Sequence, residues 1–344
     1  MEYVATQIIF FRSYLSNRSQ FTVINGVESS IKKITCGVPQ GSVLGPILFL
    51  IYVNDIHRCV TNCKTRLFAD DTSLTICHKD PTELKNIATT QIKNLIKWCN
   101  SNKLTINFKK TKYIIFHTRN KYIPDSLQEI VIDGKVIKRV STIKYLGLFI
   151  DELLTWREHV SYIHSSLLKY YGIFNHVKCF VDKKIIRKLY FSFIYSRIKY
   201  GIEVYGSCSK TQLHRLQVIQ SGLLKILLRK DRRYDTNQLH SDLRILKIVD
   251  MYKMQLLMFT NTCLQTKSIP YFNSYFTQRE VPYSLRRHGL DPDYANINVG
   301  YFSVKNICSR QWNDFPAELK EKSKQLNFRK HIARHYLSFY LQND

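Results

Sequence analysis

The sequence is short of acid. Its 344 residues include 26 Asp and Glu against 52 Lys and Arg, a formal net charge of +26. That imbalance excludes an acidic, self-solvating chain. It favours a polyanionic partner, because neutralised phosphates release condensed counterions and drive binding whatever the sequence. A membrane surface would also attract such a chain, and a merely soluble basic protein is the plain alternative, disfavoured because the basic residues recur beside aromatics instead of forming one solvated tail. Other features are missing as well. Nine cysteines, an odd number without regular spacing, and a start of Met1-Glu2-Tyr3 without basic residues argue against a secreted disulfide scaffold and predict reduced thiols in an intracellular protein, with nucleus or cytoplasm left open. His57, Cys59, Cys63, Cys77 and His78 match no common zinc spacing. The longest apolar run, Val43 to Val53, is too short to span a bilayer, so a soluble chain without a membrane partner is expected. Neither repeats nor low-complexity tracts occur.

What is present is apolar material for a core. Hydrophobic residues make up 44% of the chain, with 19 Phe and 22 Tyr, enough for one large core or two moderate ones. A glycine-containing loop, "CGVPQGSVLG", leads into "GPILFLIYVNDI", whose Ile47, Leu48, Ile51 and Val53 predict a helix with Pro46 in its tolerant first turn. Thr65 to Ala69 and Thr72 to Cys77 read as two strands with Asp70-Asp71 as their turn. Asp80, Pro81 and Glu83 form an N-cap, first-turn proline and capping-box acid ahead of a helical stripe from Leu84 to Cys99. Leu104, Ile106 and Phe108, then Lys112 to Phe116, read as strands; "IVIDGKVIKRV" is a hairpin turning at Asp133-Gly134, and "STIKYLGLFID" alternates again. Beyond residue 152 the period becomes helical, over Trp156–Val177, Lys183–Tyr200, Thr211–Lys230 and Asp242–Cys263. A loop-rich linker is expected from Gln265 to about Asn296. The tail should add one or two more helices, one of them starting near Pro316.

Two adjacent carboxylates at a hairpin tip are often only a solvated turn, since turns favour Asp. Here the hairpin is otherwise apolar, and a hard cation such as Mg²⁺ is held by one or two carboxylates plus substrate phosphates. On a chain this basic, Asp70 and Asp71 are therefore candidates for metal-assisted phosphoryl chemistry on nucleic acid.

Four ordered motifs carry a family resemblance: "CGVPQGSVLGPILFLIYVNDI", "LFADDTSLTI", "WCNSNKLTINFKKTKYIIF" and "IKYLGLFIDELLTWREHV". Together they resemble the reverse transcriptase of jockey-like non-LTR retrotransposons. "LHRLQVIQSGLLKIL" and "SRQWNDFPAELK" extend the likeness over nearly the whole chain, and a group II intron maturase resembles it less. The resemblance implies an α+β fold. Residues 1–151 would be part of a right-hand polymerase palm, an antiparallel sheet backed by helices. An all-helical thumb would follow over residues 152–264, then a linker and C-terminal helical segment over residues 265–344. It implies an RNA-directed DNA polymerase that adds dNTPs to a DNA primer 3′-hydroxyl on an RNA template, with Mg²⁺ or Mn²⁺ as cofactor in a two-metal phosphoryl transfer. Asp70 falls on the metal-binding carboxylate and Asp71 on its less directly coordinating neighbour, while Ala69 would lie against the primer end. Pro39, Gln40 and Gly41 would shape the pocket for template base and incoming nucleotide. Lys110 either neutralises the nucleotide phosphates or is a surface lysine among Lys109 and Lys112. Tyr145, Leu146 and Gly147 would support the primer. Lys183, Lys184, Arg187 and Lys188, with Arg197 and Lys199, could track a phosphate backbone while Tyr190, Phe191 and Tyr195 pack inward or stack.

The sequence also departs from that pattern. The family draws a further metal-binding carboxylate from a strand well before the "GVPQGS" loop, yet between Met1 and Thr35 the only acids are Glu2 and Glu28. The first catalytic Asp and the fingers are thus expected to be absent. This suggests a C-terminal fragment that lacks an N-terminal portion of the same polyprotein, inactive alone, with exposed apolar surface. Two alternatives stand beside it: a non-catalytic nucleic-acid-binding protein derived from a reverse transcriptase, and a translated relic without a stable fold.

Overall fold

The computed structural model describes residues 2–39, 41–266, 271, 274–278 and 289–340. The fold is α+β, a mixture of helices and small antiparallel ladders in two compact units. The first unit comprises residues 1–113 and 122–139, the second 114–121 and 140–344.

In the first unit, α1 (Glu2–Leu15) leads to two short ladders, β1 (Arg18–Gln20) with β4 (Lys32–Ile34), and β2 (Val23–Ile24) with β3 (Val27–Glu28). Next come α2 (Leu44–Val53), a 3₁₀ turn (Ile56–Cys59), and the hairpin of β5 (Lys64–Phe68) and β6 (Asp71–Thr75). The long helix α3 (Pro81–Ser101) begins as its sequence dictates. The Asp80 carboxylate accepts the Glu83 amide at 2.8 Å, and Pro81, which has no N–H to lose, fills the first turn. The buried side of α3 meets the hairpin of β7 (Glu129–Ile132) and β8 (Lys135–Lys138), where Ile130, Ile132 and Ile137 form a small core with Ile92, Ile96 and Phe108. Both turn residues of that hairpin, Asp133 and Gly134, have positive φ, the geometry that Asp-Gly favours.

Where an antiparallel palm sheet backed by helices was expected, the described residues form antiparallel ladders of two strands each. The predicted strands at Leu104–Phe108 and Lys112–Phe116 are also replaced. The first is irregular, and the second leaves a single parallel bridge, Tyr113 to Arg139. Asn107 explains the break. Its carbonyl accepts the amides of Lys110 (3.1 Å) and Thr111 (2.9 Å), and its side chain accepts that of Lys110 at 3.2 Å, so the backbone closes a turn that competes with a ladder.

The second unit is built on a single core. β9 (Thr142–Tyr145) and β10 (Leu148–Asp151) form a hairpin ahead of α4 (Arg157–Val177). The Asp151 carboxylate makes that junction: it accepts the amides of Leu153 (3.2 Å), Thr155 (2.9 Å) and Trp156 (2.8 Å) and holds Trp156 at a left-handed φ of 63°. α5 (Lys183–Leu189), a π-helical segment (Tyr190–Tyr195) and α6 (Ser196–Lys199) form one continuous helical stretch. Its buried residues Ile186, Tyr190, Ile194 and Ile198 recur every four positions. An α-helix turns once in 3.6 residues and would rotate such a repeat off its face; the wider i→i+5 turn keeps it aligned.

α7 (Ile202–Tyr205), α8 (Lys210–Leu227), α9 (Thr236–Leu243) and α10 (Ile248–Gln265) follow. The helix expected over Asp242–Cys263 is therefore two. Arg244 is left-handed (φ 50°), and the Ile245 amide turns back to the His240 carbonyl at 2.9 Å, ending α9. Past β11 (Thr277–Gln278) and β12 (Leu290–Asp291), the tail holds α11 (Asn298–Tyr301), α12 (Val304–Asp314), α13 (Ala317–Glu321) and α14 (Phe328–Ser338), more helix than the one or two expected. Trp312, Phe315, Phe328, Ile332 and Tyr336 join the core of α4, α8 and α10, so the tail is part of this unit's interior. Much of the expected linker lies outside the described residues. No helix among those described is long and apolar enough to cross a membrane.

Candidate active site

The hairpin of β5 and β6 positions the two aspartates. Its register runs from Lys64 opposite Thr75 to Phe68 opposite Asp71, which leaves Ala69 and Asp70 as the turn. The turn is thus one residue earlier than the sequence pattern suggested, and Asp71 opens the returning strand. Burial decides this, because the register puts Thr65, Leu67 and Leu74 together on the half-buried face. The opposite, exposed face carries Arg66, Phe68 and Asp71. Ala69 sits at φ 50°, a left-handed conformation that costs a residue with a Cβ roughly 1–2 kcal/mol. The effect is a tight tip with both carboxylates exposed to solvent.

Two adjacent carboxylates are the donor chemistry that a hard divalent cation takes, and substrate phosphates and water ordinarily complete the shell. Among the described residues, no group of three or more His, Cys, Asp and Glu side chains gathers that could hold a metal ion. Asp70 and Asp71 therefore fit part of a divalent-ion site. Glu28, opposite Val23 in β3, lies exposed on a ladder of its own.

The loop before α2 is held by a residue that the motif reading passed over. Ser42 Oγ donates to the Pro39 carbonyl (2.8 Å), accepts the Gly45 amide (3.1 Å) and accepts the Tyr14 hydroxyl (2.6 Å). A Cβ on Gly45 would stand 3.0 Å from Ser42 Oγ and 3.3 Å from the Pro39 carbonyl oxygen, so the glycine permits this close packing. Gly41 has φ +79° and open space around it. Arg18 ties down the other end of the loop by donating to the Gly37 carbonyl at 2.5 Å. Pro39 is half-buried, and Gln40 lies outside the described residues. A serine three positions before Gly45 is a capping spacing, which is the signal that would have found Ser42.

Lys110 is exposed on the Asn107 turn, and no ion pair joins it to Asp70 or Asp71. Tyr145, Leu146 and Gly147 belong to the second unit. Leu146 (φ 45°) and Gly147 (φ 82°) make the two-residue turn between β9 and β10, and Tyr200 braces it by donating its hydroxyl to the Leu146 carbonyl at 2.7 Å. A Cβ on Gly147 would meet the Tyr200 ring at 3.0 Å.

The cations of the helical unit divide by role. Lys183, Lys184 and Lys188 are exposed. Arg187 instead donates to the carbonyls of Leu243 and, at 3.2 Å, Arg244, closing the C-terminus of α9. Arg197 donates to the Tyr170 hydroxyl at 3.2 Å and lies over that ring. Of the nearby aromatics, Tyr190 is fully buried and donates nothing to solvent: its hydroxyl accepts the Gln220 amide at 2.8 Å, and burial raises its pKa. Tyr195 accepts from Gln255 (3.3 Å) and Arg329 (2.5 Å), whereas Phe191 remains 38% exposed.

A family model described as reverse transcriptase (RNA-dependent DNA polymerase) matches residues 2–150. The RNA-directed DNA polymerase from mobile element jockey of Drosophila melanogaster is 26% identical over 251 residues, which cover 70% of this chain and 27% of that protein. A probable RNA-directed DNA polymerase from transposon X-element of the same species is 25% identical over 252 residues, covering 70% and 27%. The Pol polyprotein of type-1 retrotransposable element R1 from Bradysia coprophila is 22% identical over 251 residues, covering 71% and 23%. The chain thus spans about a quarter of the length of the curated relatives it matches.

Proposed function

We propose, for a chain whose residues 2–150 belong to the reverse transcriptase family and which is a jockey-like non-LTR element's relative, that it serves RNA-directed DNA synthesis. It would supply part of the nucleotidyl-transfer site and most of the grip on the primer–template. The observation that carries this reading is the β5–β6 tip, where a two-residue turn presents Asp70 and Asp71 together and exposed inside the matched region.

In this reading Asp70 and Asp71 contribute carboxylate ligands to a divalent cation, which when bound neutralises the reacting phosphates and favours the attacking 3′-hydroxyl. Ala69, in the same turn, faces the primer end. Ser42 holds Pro39 and Gly45 in the loop that borders the incoming nucleotide, and Lys110 brings an ammonium toward its phosphates. Tyr145, Leu146 and Gly147, braced by Tyr200, support the primer strand, and Lys183, Lys184 and Lys188 follow the nucleic-acid backbone. Residues 1–151 act as palm, 152–264 as thumb, and the C-terminal segment completes the thumb's core. Because no third carboxylate gathers with the pair among the described residues, these residues alone leave the transition-state charge under-neutralised. The chain by itself then binds primer–template and extends it little or not at all.

Primer extension on an RNA template with Mg²⁺ or Mn²⁺ tests this, with wild type compared to Asp70→Ala and binding recorded in the same samples. Tight, salt-sensitive binding with negligible extension in both proteins is expected. Extension abolished by Asp70→Ala would show that another acid of this chain completes the site. Absence of any nucleic-acid binding would sink the reading altogether.

A further inference from the structure

The exposed ring of Phe191 sits beside lysines that the polymerase reading places on the nucleic-acid backbone, but that reading gives the ring itself no role. Lys184, Arg187, Lys188, Phe191 and Ser192 line an open pocket of about 540 Å³ on the solvent side of the α5 to α6 stretch, and no carboxylate is among them. Tyr190 and Tyr195 meet the Phe191 ring in T-shaped contacts at centroid distances of 5.1 Å each, which fixes its orientation from the core side. The Arg187 guanidinium lies 5.3 Å from the ring centroid. It is held there by its bonds to the C-terminal end of α9, so its charge belongs to the pocket while its hydrogen bonds go to the fold. Lys184 and Lys188, one helical turn apart, are exposed beside the ring.

The π-helical segment accounts for the ring's position. It lets the four-residue repeat of buried residues continue through Tyr190 and Ile194, and this leaves Phe191 and Ser192 on the outer face, next to the cations of the preceding turn. An exposed phenyl ring on a soluble helix loses its hydrophobic contribution unless something covers it. The depression is shallow and open, which suits a group laid flat on the ring and not one enclosed by the protein. A flat apolar ring flanked by two mobile ammonium groups suits a flat base joined to phosphates on either side.

We infer that this pocket binds an unpaired nucleotide of single-stranded nucleic acid, its base stacked on Phe191 and its flanking phosphates on Lys184 and Lys188. The inference rests on the proposed nucleic-acid function and deepens it: the basic face reads single strand, where a base has a free face to offer, in preference to duplex, whose bases are already stacked on each other. Arg187 is a positioning residue here and makes no phosphate contact.

Fluorescence anisotropy of the full chain with a labelled 12-nucleotide oligo(U) and with a 12-base-pair RNA–DNA hybrid, each over a salt series, tests it. Phe191→Leu, which keeps an apolar side chain against Tyr190 and Tyr195, should weaken oligo(U) binding about tenfold and the hybrid less than twofold, with the salt slope unchanged. Phe191→Tyr should restore binding. Lys184→Ala with Lys188→Ala should weaken oligo(U) binding and flatten its salt slope by up to about two. If Phe191→Leu leaves oligo(U) binding intact, or weakens both ligands equally, the inference is wrong while the polymerase reading survives. If the wild type binds neither ligand at low salt, both fall.

Discussion

In the helical unit Leu216, Leu223 and Ile198 are wholly buried, whereas on α2 of the first unit Ile47, Leu50 and Ile51 are half-exposed or more. α1 repeats the contrast, with Ile8, Ile9 and Phe10 on the outside, and so does Phe68 beside the two aspartates. One unit has converted its apolar residues into a contiguous interior that draws on α4, α8, α10 and the tail. Among the described residues the other has a small cluster around α3 with β7–β8 and a few further buried side chains such as Val53, Ile56 and Val60, and leaves a large apolar area in water. Large exposed apolar patches mark interaction surfaces. Three of the four motifs read from the sequence lie wholly or mainly in this poorly covered unit.

The sharpest way to break this comparison is a pair of substitutions. Leu216→Ala should destabilise the helical unit by about 2–5 kcal/mol, since it removes a buried side chain and leaves a cavity. Ile51→Lys should change stability by less than about 0.5 kcal/mol and raise solubility. Urea denaturation of both variants checks this, and a large loss from Ile51→Lys would mean that α2 is covered in the folded chain.

An effect of similar size is expected from acid. His240 is fully buried, and burial lowers its pKa to about 4, assisted by the charge of Lys247 against the opposing Ile245 carbonyl bond. A carbonyl only accepts, so Nδ1 carries the proton given to Ile245 (3.0 Å). Nε2 is then the acceptor for Gln217 and Ser221, each at 3.2 Å. Between the ordinary value of 6.5 and 4 the unfolded chain binds a proton that the folded chain refuses, so stability falls as pH falls through that window. The loss at this one residue is on the order of 3 kcal/mol, and buried His159, also lowered to about 4 by burial, adds to it. Urea midpoints measured from pH 7 to pH 4, with hydrogen exchange separating the units, should show the decline in the helical unit; a flat profile would contradict it.

The smallest effect belongs to the first unit. Asp80→Ala removes the cap of α3 and should cost about 1 kcal/mol, with exchange rising in the first turn of α3 and not in α8. An unchanged α3 would mean that its packing against Ile130, Ile132 and Ile137 outweighs the cap.

Much of this was legible in the sequence where the cause is local. The α3 start follows from Asp80 and Pro81, the β7–β8 turn from Asp133-Gly134, and the α4 and α8 stripes from their helical period. The family resemblance was legible because four motifs stand in order. Less local matters were not. The Leu104–Phe108 stretch kept its alternation in burial yet formed no ladder, since Asn107 offered its backbone a nearer partner. Arg187 read as a phosphate contact among its neighbouring lysines, but its donors go to Leu243 and Arg244, more than fifty residues away.

The sequence by itself determined composition, charge and local geometry: where helices begin, which hairpins close in two residues, and that two carboxylates sit side by side on a basic chain. Backbone sterics and side-chain capping act over three or four residues, so they can be read there. The tertiary structure decided the one-residue shift that made Ala69-Asp70 the turn, the use of Arg187 as a helix clasp, the exposure of Phe191 and the merging of the tail into the core. Each of these depends on which distant surface competes for a side chain. Burial and hydrogen-bond satisfaction are settled by all neighbours at once, and only the folded chain names the neighbours.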